Sequence, residues 1–485
     1  MAILSLAGRI TKCGRPNLQL KPIHIASICA GAVVIGASAL MALLMPPWLA
    51  ALTLLALLIV APPFLDFMAG TFEPFEIRNA FLVGYFFQFV VSALTSLLGE
   101  PRYYVGRARF ASVAPTATLW SCLALACFYI GYYWRRNKAP MKSGIVDDWD
   151  CQRALAVAVS FLSLTLIVFA IFLAECGGLF AVLTNLSELN RLLFGRYYFA
   201  LALRSLPFVA TIILFTEARF RGGWRWLATL ASFAFLTVET AILGERGPIL
   251  FNLLALALVC WHTVGSGPGL PRWATILLAP AAIAGIVLAF EGATILRFSN
   301  LQGVDSDSLT GLFSSPLARN AGIAAAARGA AGRFEGMEVL GIILKRTGRT
   351  VPYDEGASLT DALTMMVPRA LWAGKPFNSG IRVERLFLDN VAGDDLASSP
   401  SPTLPGEFYW NFGWPGIVLG MLAAGFGAAR ANSYFRRRAT TSALLIYSGF
   451  FLCFFGISDG GLGGWAITLL SYIGPAALAD WLMRR

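Results

Sequence analysis

Uninterrupted apolar runs restrict this chain more than any other feature. A run of roughly 18 or more residues is long enough to cross a hydrocarbon core of about 30 Å. About twelve are present, at 23–44, 47–64, 80–98, 113–134, 153–174, 198–216, 224–243, 247–263, 272–290, 406–429, 443–457 and 462–480. Lipid offers backbone amides no partner, and the hydrophobicity is continuous rather than alternating, so helices are expected instead of barrel strands. With 57% hydrophobic and only 13% charged residues, an ordinary soluble enzyme is excluded. The expected fold is an all-α polytopic membrane protein of about twelve spans. Residues 1–290 hold helices 1–9, residues 291–405 a large and partly helical external loop, and residues 406–485 helices 10–12.

Arg9, Lys12, Arg15 and Lys21 precede the first run as in a signal peptide, but 23–44 is too long and "MPPW" is a poor cleavage site. The run is therefore read as an uncleaved first helix. Lys and Arg in short loops stay on the cytoplasmic side. With the N-terminus inside, inner segments hold twenty of them and short outer loops six, so both termini are expected to be cytoplasmic. The net charge of +11 then reflects topology and implies no nucleic-acid partner. Of eight cysteines, Cys29, Cys122, Cys127, Cys260 and Cys453 fall inside runs, and no CxxC or Cys/His ligand spacing occurs. Neither a disulfide framework nor a metal site is implied. His24 and His262 lie at span ends and read as interfacial.

The long loop is not low in complexity, and loops of this length with structure of their own usually have a task. "SLTDALTMMVPRALW" opens with caps at Ser358 or Thr360 and keeps Leu359, Leu363 and Met366 apolar. Short helices lying on the membrane surface, or dipping into it, are expected here.

The stretch "ETAILGERGPILF" (239–251) places Glu239, Glu245 and Arg246 at an external hairpin between two runs. Charge at membrane depth costs several kcal/mol, so such groups face a polar cavity and pair. Glu175, Arg196, Arg204, Glu291, Arg297, Glu407 and Asp459 also fall near external span ends, whereas Glu217 and Asp480 read as ordinary cytoplasmic flanks. The implied site opens outward. Blander roles exist for several of these residues. Arg191 and Arg196 can snorkel beside aromatic residues, Glu245 and Arg246 can form a solvated turn, Asp459 can join a glycine-rich turn, and Glu407 suits the first turn of a helix. Arginine forks suit diphosphate, and "VPRALWAGKPFNSGIRVERLF" adds Arg369, Lys375, Arg382 and Arg385. No P-loop or GxGxxG run occurs, and no cofactor is expected.

Together with the topology, "GERGP", "PRALWAGKP" and "SPTLPGEFYWNFGWPG" resemble the Wzy-type repeat-unit polymerases of O-antigen and exopolysaccharide in bacterial inner membranes. The resemblance implies a GT-C-type glycosyltransferase, working without metal or nucleotide at the periplasmic face. It would move a growing glycan from undecaprenyl diphosphate to a sugar hydroxyl of an incoming lipid-linked unit, with a chain-length regulator as a further partner. Arginines would stabilise the departing diphosphate: Arg246 and Arg369 first, then Arg196, Arg204 and Arg382. A carboxylate would take the hydroxyl proton: Glu407 first, Glu245 second, Asp459 third. The related O-antigen ligases are described with a histidine in the external loop, and residues 291–405 contain none. A flippase or transporter of the major facilitator type would show two similar halves, and no internal repeat is visible.

Overall fold

The computed structural model describes residues 47–98, 107–134, 144–179, 182, 197–242, 247–263, 334–364, 367, 371, 372, 374, 375, 379–387, 402–456 and 461–484. Among them there is no β-strand, only isolated bridges. The helices are α1 (Pro47–Met68), α2 (Ile77–Tyr85), α3 (Ser92–Leu98), α4 (Arg107–Trp134), α5 (Cys151–Glu175), α6 (Tyr197–Arg221) and α7 (Arg225–Ile242). They continue with α8 (Gly247–Thr263), α9 (Gly336–Arg346), α10 (Ala357–Thr364), α11 (Ser379–Phe387), α12 (Leu404–Arg438), α13 (Thr441–Gly456) and α14 (Leu462–Met483). Every expected span that falls on described residues is helical, while the runs at 23–44 and 272–290 lie outside them.

Among the described residues, six helices are long and apolar enough to cross a membrane: Trp48–Met68, Ile77–Leu97, Ser112–Trp134, Cys151–Glu175, Leu404–Arg438 and Leu462–Met483. Ile249–Thr263 and Thr441–Gly456 are shorter apolar helices. Helix α6 carries Arg204, Glu217, Arg219 and Arg221, and α7 carries Arg225 and Glu239.

α1 belongs to a unit of its own that ends at Glu73, and the helices from Pro74 onward form a second. In that second unit α2 and α3 are joined through a π-helical stretch, Phe86–Val91, into one apolar rod. α12 packs along α4, and glycines let the two backbones touch. A methyl at Gly425 would land on the Phe128 carbonyl, and one at Gly131 on the Leu422 carbonyl. Small residues at such crossings drive helix association in lipid, where hydrophobic burial between helices is no longer available. A second group is built from α5, α6, α7 and α8, with α6 at its centre. α14 packs on α5 and α6 as well as on α13, and so ties the groups together.

Helix α9 comes from the expected external loop, yet Gly336 through Ile343 are all buried, against α3, α4 and α12. Ser96 donates to the buried Glu338 carboxylate, and the Met337 amide donates to Ser92 at 3.2 Å. Gln88 of the π-helical stretch crowds Gly336. π-helical turns re-aim side chains and are frequent at functional positions. The cap of α10 differs from expectation. The helix begins at Ala357, so Ser358 and Thr360 lie inside its first turn, and Asp354 caps it by accepting from the Ser358 amide at 2.8 Å.

At the opposite end of the bundle, residues 144–150 clasp three helices. Asp150 caps α5 through the Gln152 and Arg153 amides, Trp149 is fully buried with its indole on Ser442, and Asp147 pairs with Arg221 at 2.6 Å. Asp148 accepts from the Thr441 hydroxyl at 2.7 Å and the Ser442 amide at 3.0 Å, capping α13. Partial burial pushes its carboxyl up, but these hydrogen bonds outweigh that and hold it below the usual carboxylate range. A carboxylate depressed in this way stabilises the fold above its unfolded-state pKa and stops doing so as it protonates. Asp148→Asn is therefore expected to lower the melting temperature at neutral pH and to flatten the acid limb below about pH 4. Identical pH–melting profiles for the variant and the wild type would contradict the clasp.

Candidate functional site: the elbow of α12

The motif "SPTLPGEFYWNFGWPG" folds into a broken helix. Thr403 caps α12, its hydroxyl accepting from the Gly406 amide at 3.2 Å, and Pro405 sits in the first turn, where its missing N–H is not needed. The helix then breaks at Phe412 (φ −135°, ψ 15°) and Gly413 (φ 64°, ψ −151°). The second conformation is open essentially to glycine alone. Beyond the break the two arms fold tightly on each other: a methyl at Gly416 would strike the Phe408 carbonyl, and one at Gly420 the Phe408 ring.

A break orphans backbone groups, and lipid cannot satisfy them. Here they are taken up locally. The Asn411 amide group donates to the Glu407 carbonyl at 2.8 Å and to the Ser358 hydroxyl at 2.7 Å, while its oxygen accepts from the Gly356 amide at 2.8 Å. The Trp410 carbonyl accepts from the Asp354 amide at 3.0 Å. Segment 353–358, from the expected external loop, is thus bonded directly onto the first arm of α12.

Two charged groups, Asp354 and Arg382, dock on this arm, and a third, Glu407, belongs to it. Asp354, besides capping α10, pairs with Arg382 of α11, and the Arg382 guanidinium lies 4.9 Å from the centre of the Trp410 ring. The Asp354 side chain is 6% exposed and that of Arg382 23%, so one face of the arginine remains accessible. Glu407, one turn before Trp410, is completely buried. Its Oε2 accepts from the Leu462 amide, the first of α14, whose N-terminus favours negative charge. The sequence placed Glu407 in the first turn of its own helix, which holds, and one oxygen of its carboxylate is bonded to a neighbouring helix. Around the elbow the Tyr353 and Tyr409 rings stand 6.5 Å apart, while Trp414 and Phe412 are exposed.

Of the expected site residues, Glu407 lies in the first arm of α12, and Arg382 of α11 reaches the same arm at Trp410, three residues further on. Arg204 is half-buried on α6, a helix that packs against α14. Glu239 is buried on α7, and Glu175 is exposed at the end of α5. Glu245, Arg246, Asp459, Arg196 and Arg369 lie outside the described residues. Lys375 donates to the Val367 carbonyl at 2.9 Å. Asp354 and Asn411 were not foreseen. The signal for Asp354 was present in "DEGAS", an acid and a glycine directly before a helix; nothing in the sequence marks Asn411.

The far end of the bundle corrects a second expectation. Glu217 and Asp480 are buried rather than ordinary flanks, Glu217 bonding Arg221 at 2.6 Å and Asp480 bonding Arg484. Glu76 and Arg78 form a buried pair at 2.9 Å, extended by Tyr132, Tyr133, Asn79 and Asn432. Tyr447 closes the network, its single hydroxyl proton shared between the Phe75 carbonyl at 2.8 Å and the Asn432 side-chain oxygen at 3.0 Å. His262 is not interfacial: it is buried, edge-on to Phe435 at 4.8 Å. Removing one partner of a buried pair leaves a charge without compensation, so this network reads as a lock between helices. Among the described residues no group of three or more His, Cys, Asp or Glu side chains is placed to hold a metal ion.

Gly413→Ala is expected to destabilise the protein by about 1–3 kcal/mol. Thermal unfolding in detergent reads this directly, and an unchanged midpoint would show that the elbow is not held in the glycine-only conformation.

No curated protein and no solved structure matches the chain. Residues 85–458, more than half of the chain, match the model of a family described as a domain of unknown function, DUF8712, and the protein belongs to that family.

Proposed function

We propose that the protein is a metal-independent membrane glycosyltransferase that polymerises undecaprenyl-diphosphate-linked oligosaccharide repeat units. The growing glycan would pass to a hydroxyl of an incoming lipid-linked unit at the periplasmic face of a bacterial inner membrane, with both chain termini cytoplasmic. The observation that carries this reading is a broken helix that holds a buried carboxylate, Glu407, and three residues later carries Trp410, over which Arg382 of α11 is held by Asp354 with its side chain partly accessible. Broken helices in membranes commonly border ligand sites, because their irregular backbone must face protein or a cavity. The resemblance of "SPTLPGEFYWNFGWPG" to repeat-unit polymerases falls on this same elbow.

The chemistry asks for two things. As the glycosidic bond breaks, negative charge grows on the leaving diphosphate, and fixed guanidinium groups stabilise it. Arg382 is fixed, since Asp354 and the Trp410 face hold it; Arg246 and Arg369 are the further arginines assigned to this task, with Arg196 and Arg204 behind them. The acceptor hydroxyl must lose its proton, and Glu407 is the first carboxylate assigned to take it, followed by Glu245 and Asp459. Gly461 lets the backbone at the start of α14 come close to the Glu407 carboxylate. Exposed Trp372, Trp414 and Leu371 suit the interface where a lipid-linked substrate's headgroup lies.

Glu407→Gln keeps an oxygen to accept the Leu462 amide and removes only the proton acceptor. It is expected to bind lipid-linked donor and to extend chains about 100-fold more slowly or worse. Arg382→Lys is expected to lower turnover, since it loses the planar fork that suits diphosphate, while a positive charge remains for the largely buried Asp354 so that the fold is kept. Polymer length and rate are read on gels of products made with purified lipid-linked units. Wild-type extension by Glu407→Gln would remove it as the base, and wild-type extension by both variants would remove the elbow from the active site.

A further inference from the structure

The C-terminal end of α12 is built differently from its elbow. Leu419, Ala423, Phe426, Arg430, Tyr434 and Arg437 follow one another at three- and four-residue steps, so they share one face of the helix. Leu419, Ala423, Phe426, Arg430 and Arg437 are exposed. The face changes abruptly from apolar to cationic. From Phe426 to Arg430 is about 6 Å along the axis.

At the cationic end Arg430, Ser433, Tyr434, Arg437 and Arg438 line a cavity of about 280 Å³. Arg438 is held in place, donating to the Tyr434 hydroxyl at 3.1 Å with its guanidinium 4.6 Å over that ring. Among the described residues none of Arg430, Arg437 and Arg438 makes an ion pair. Arg436 is turned away from them, 3.9 Å from the buried Glu76. The terminal carbonyls of α12 favour positive charge, but a helix end supplies only about half an elementary charge. Three guanidinium groups around one cavity, with no carboxylate among them, call for an anion, and their planar forks suit phosphate.

The apolar track above the cavity decides which anion. A soluble phosphate has no use for exposed Leu419, Ala423 and Phe426, whereas a phospholipid needs both halves. We propose that this face of α12 binds an anionic phospholipid, its head-group phosphate on Arg430, Arg437 and Arg438 and its acyl chains along Leu419–Phe426. The arginine bias of the sequence assigns this end of α12 to the cytoplasmic leaflet, whose anionic lipids attract basic side chains beside membrane helices.

The test uses the full chain in phosphatidylcholine nanodiscs with and without phosphatidylglycerol, with retained lipid counted by native mass spectrometry after gentle release. The wild type is expected to retain phosphatidylglycerol in preference to phosphatidylcholine. Arg430→Gln/Arg437→Gln/Arg438→Gln is expected to weaken that retention on the order of a hundred-fold. Arg437→Gln alone, at an exposed position, is expected to weaken it about five-fold with the lipid-free melting temperature unchanged, which separates lost binding from lost folding. Equal retention by both variants and the wild type overturns the proposal. So does complete displacement of the lipid by millimolar inorganic phosphate, which would mark a soluble-anion site. Self-association of the wild type that the triple variant loses, with lipid retention intact, would assign the face to a second copy instead.

Discussion

A helix that breaks in a low-dielectric setting must find partners for the backbone groups it releases, and the end of the bundle around Gly413 is organised around that demand. Gly413 makes the break in α12 sterically possible. Asn411 and the Asp354 amide then satisfy the carbonyls of Glu407 and Trp410. Because one of those partners belongs to segment 353–358, satisfying the helix also docks the loop. The docked loop brings Asp354, Asp354 holds Arg382, and Arg382 covers Trp410. The charged arrangement at the elbow therefore follows from backbone hydrogen bonding as much as from charge pairing.

The same helix is anchored along its length by contact rather than by charge. Gly131 and Gly425 bring α4 and α12 together at backbone distance, which fixes the direction of the long arm of α12. Glu407 ties the short arm to α14, while Glu76 and Arg78, with Tyr132, Asn432 and Tyr447, lock its far end to α2, α4 and α13. The elbow thus lies between a rigid rod and a capped helix end, the sort of support that holds side chains in a reactive geometry.

Hydrophobic run length made the helices legible in the sequence, since every expected span on described residues is helical. Among the described residues six candidate spans and two shorter apolar helices answer to those runs, while α6 and α7 carry buried charged side chains such as Glu217, Arg219 and Glu239 that run length does not register. Burial of α9 was invisible because "GMEVLGIILKR" carries a glutamate on a face that meets Ser96 and Ser92 instead of water. Arg382 and Glu407 could be chosen from the sequence, but not their partners. Asp354 reaches Arg382 across the fold, and the amide that Glu407 accepts from belongs to a helix beginning 55 residues later in the chain. Charge counting also favoured one end of the bundle, whereas the far end holds a dense buried network, because counting sees charges and not the tyrosines and asparagines that absorb them.

The polymerase reading makes one claim above all others: this chain joins lipid-linked units that have already crossed the membrane. The most direct measurement is the set of lipid-linked glycans that accumulates in cells lacking the protein. The account predicts single repeat units on undecaprenyl diphosphate at the periplasmic face. Full-length polymer awaiting transfer, or single units trapped at the cytoplasmic face, would contradict it.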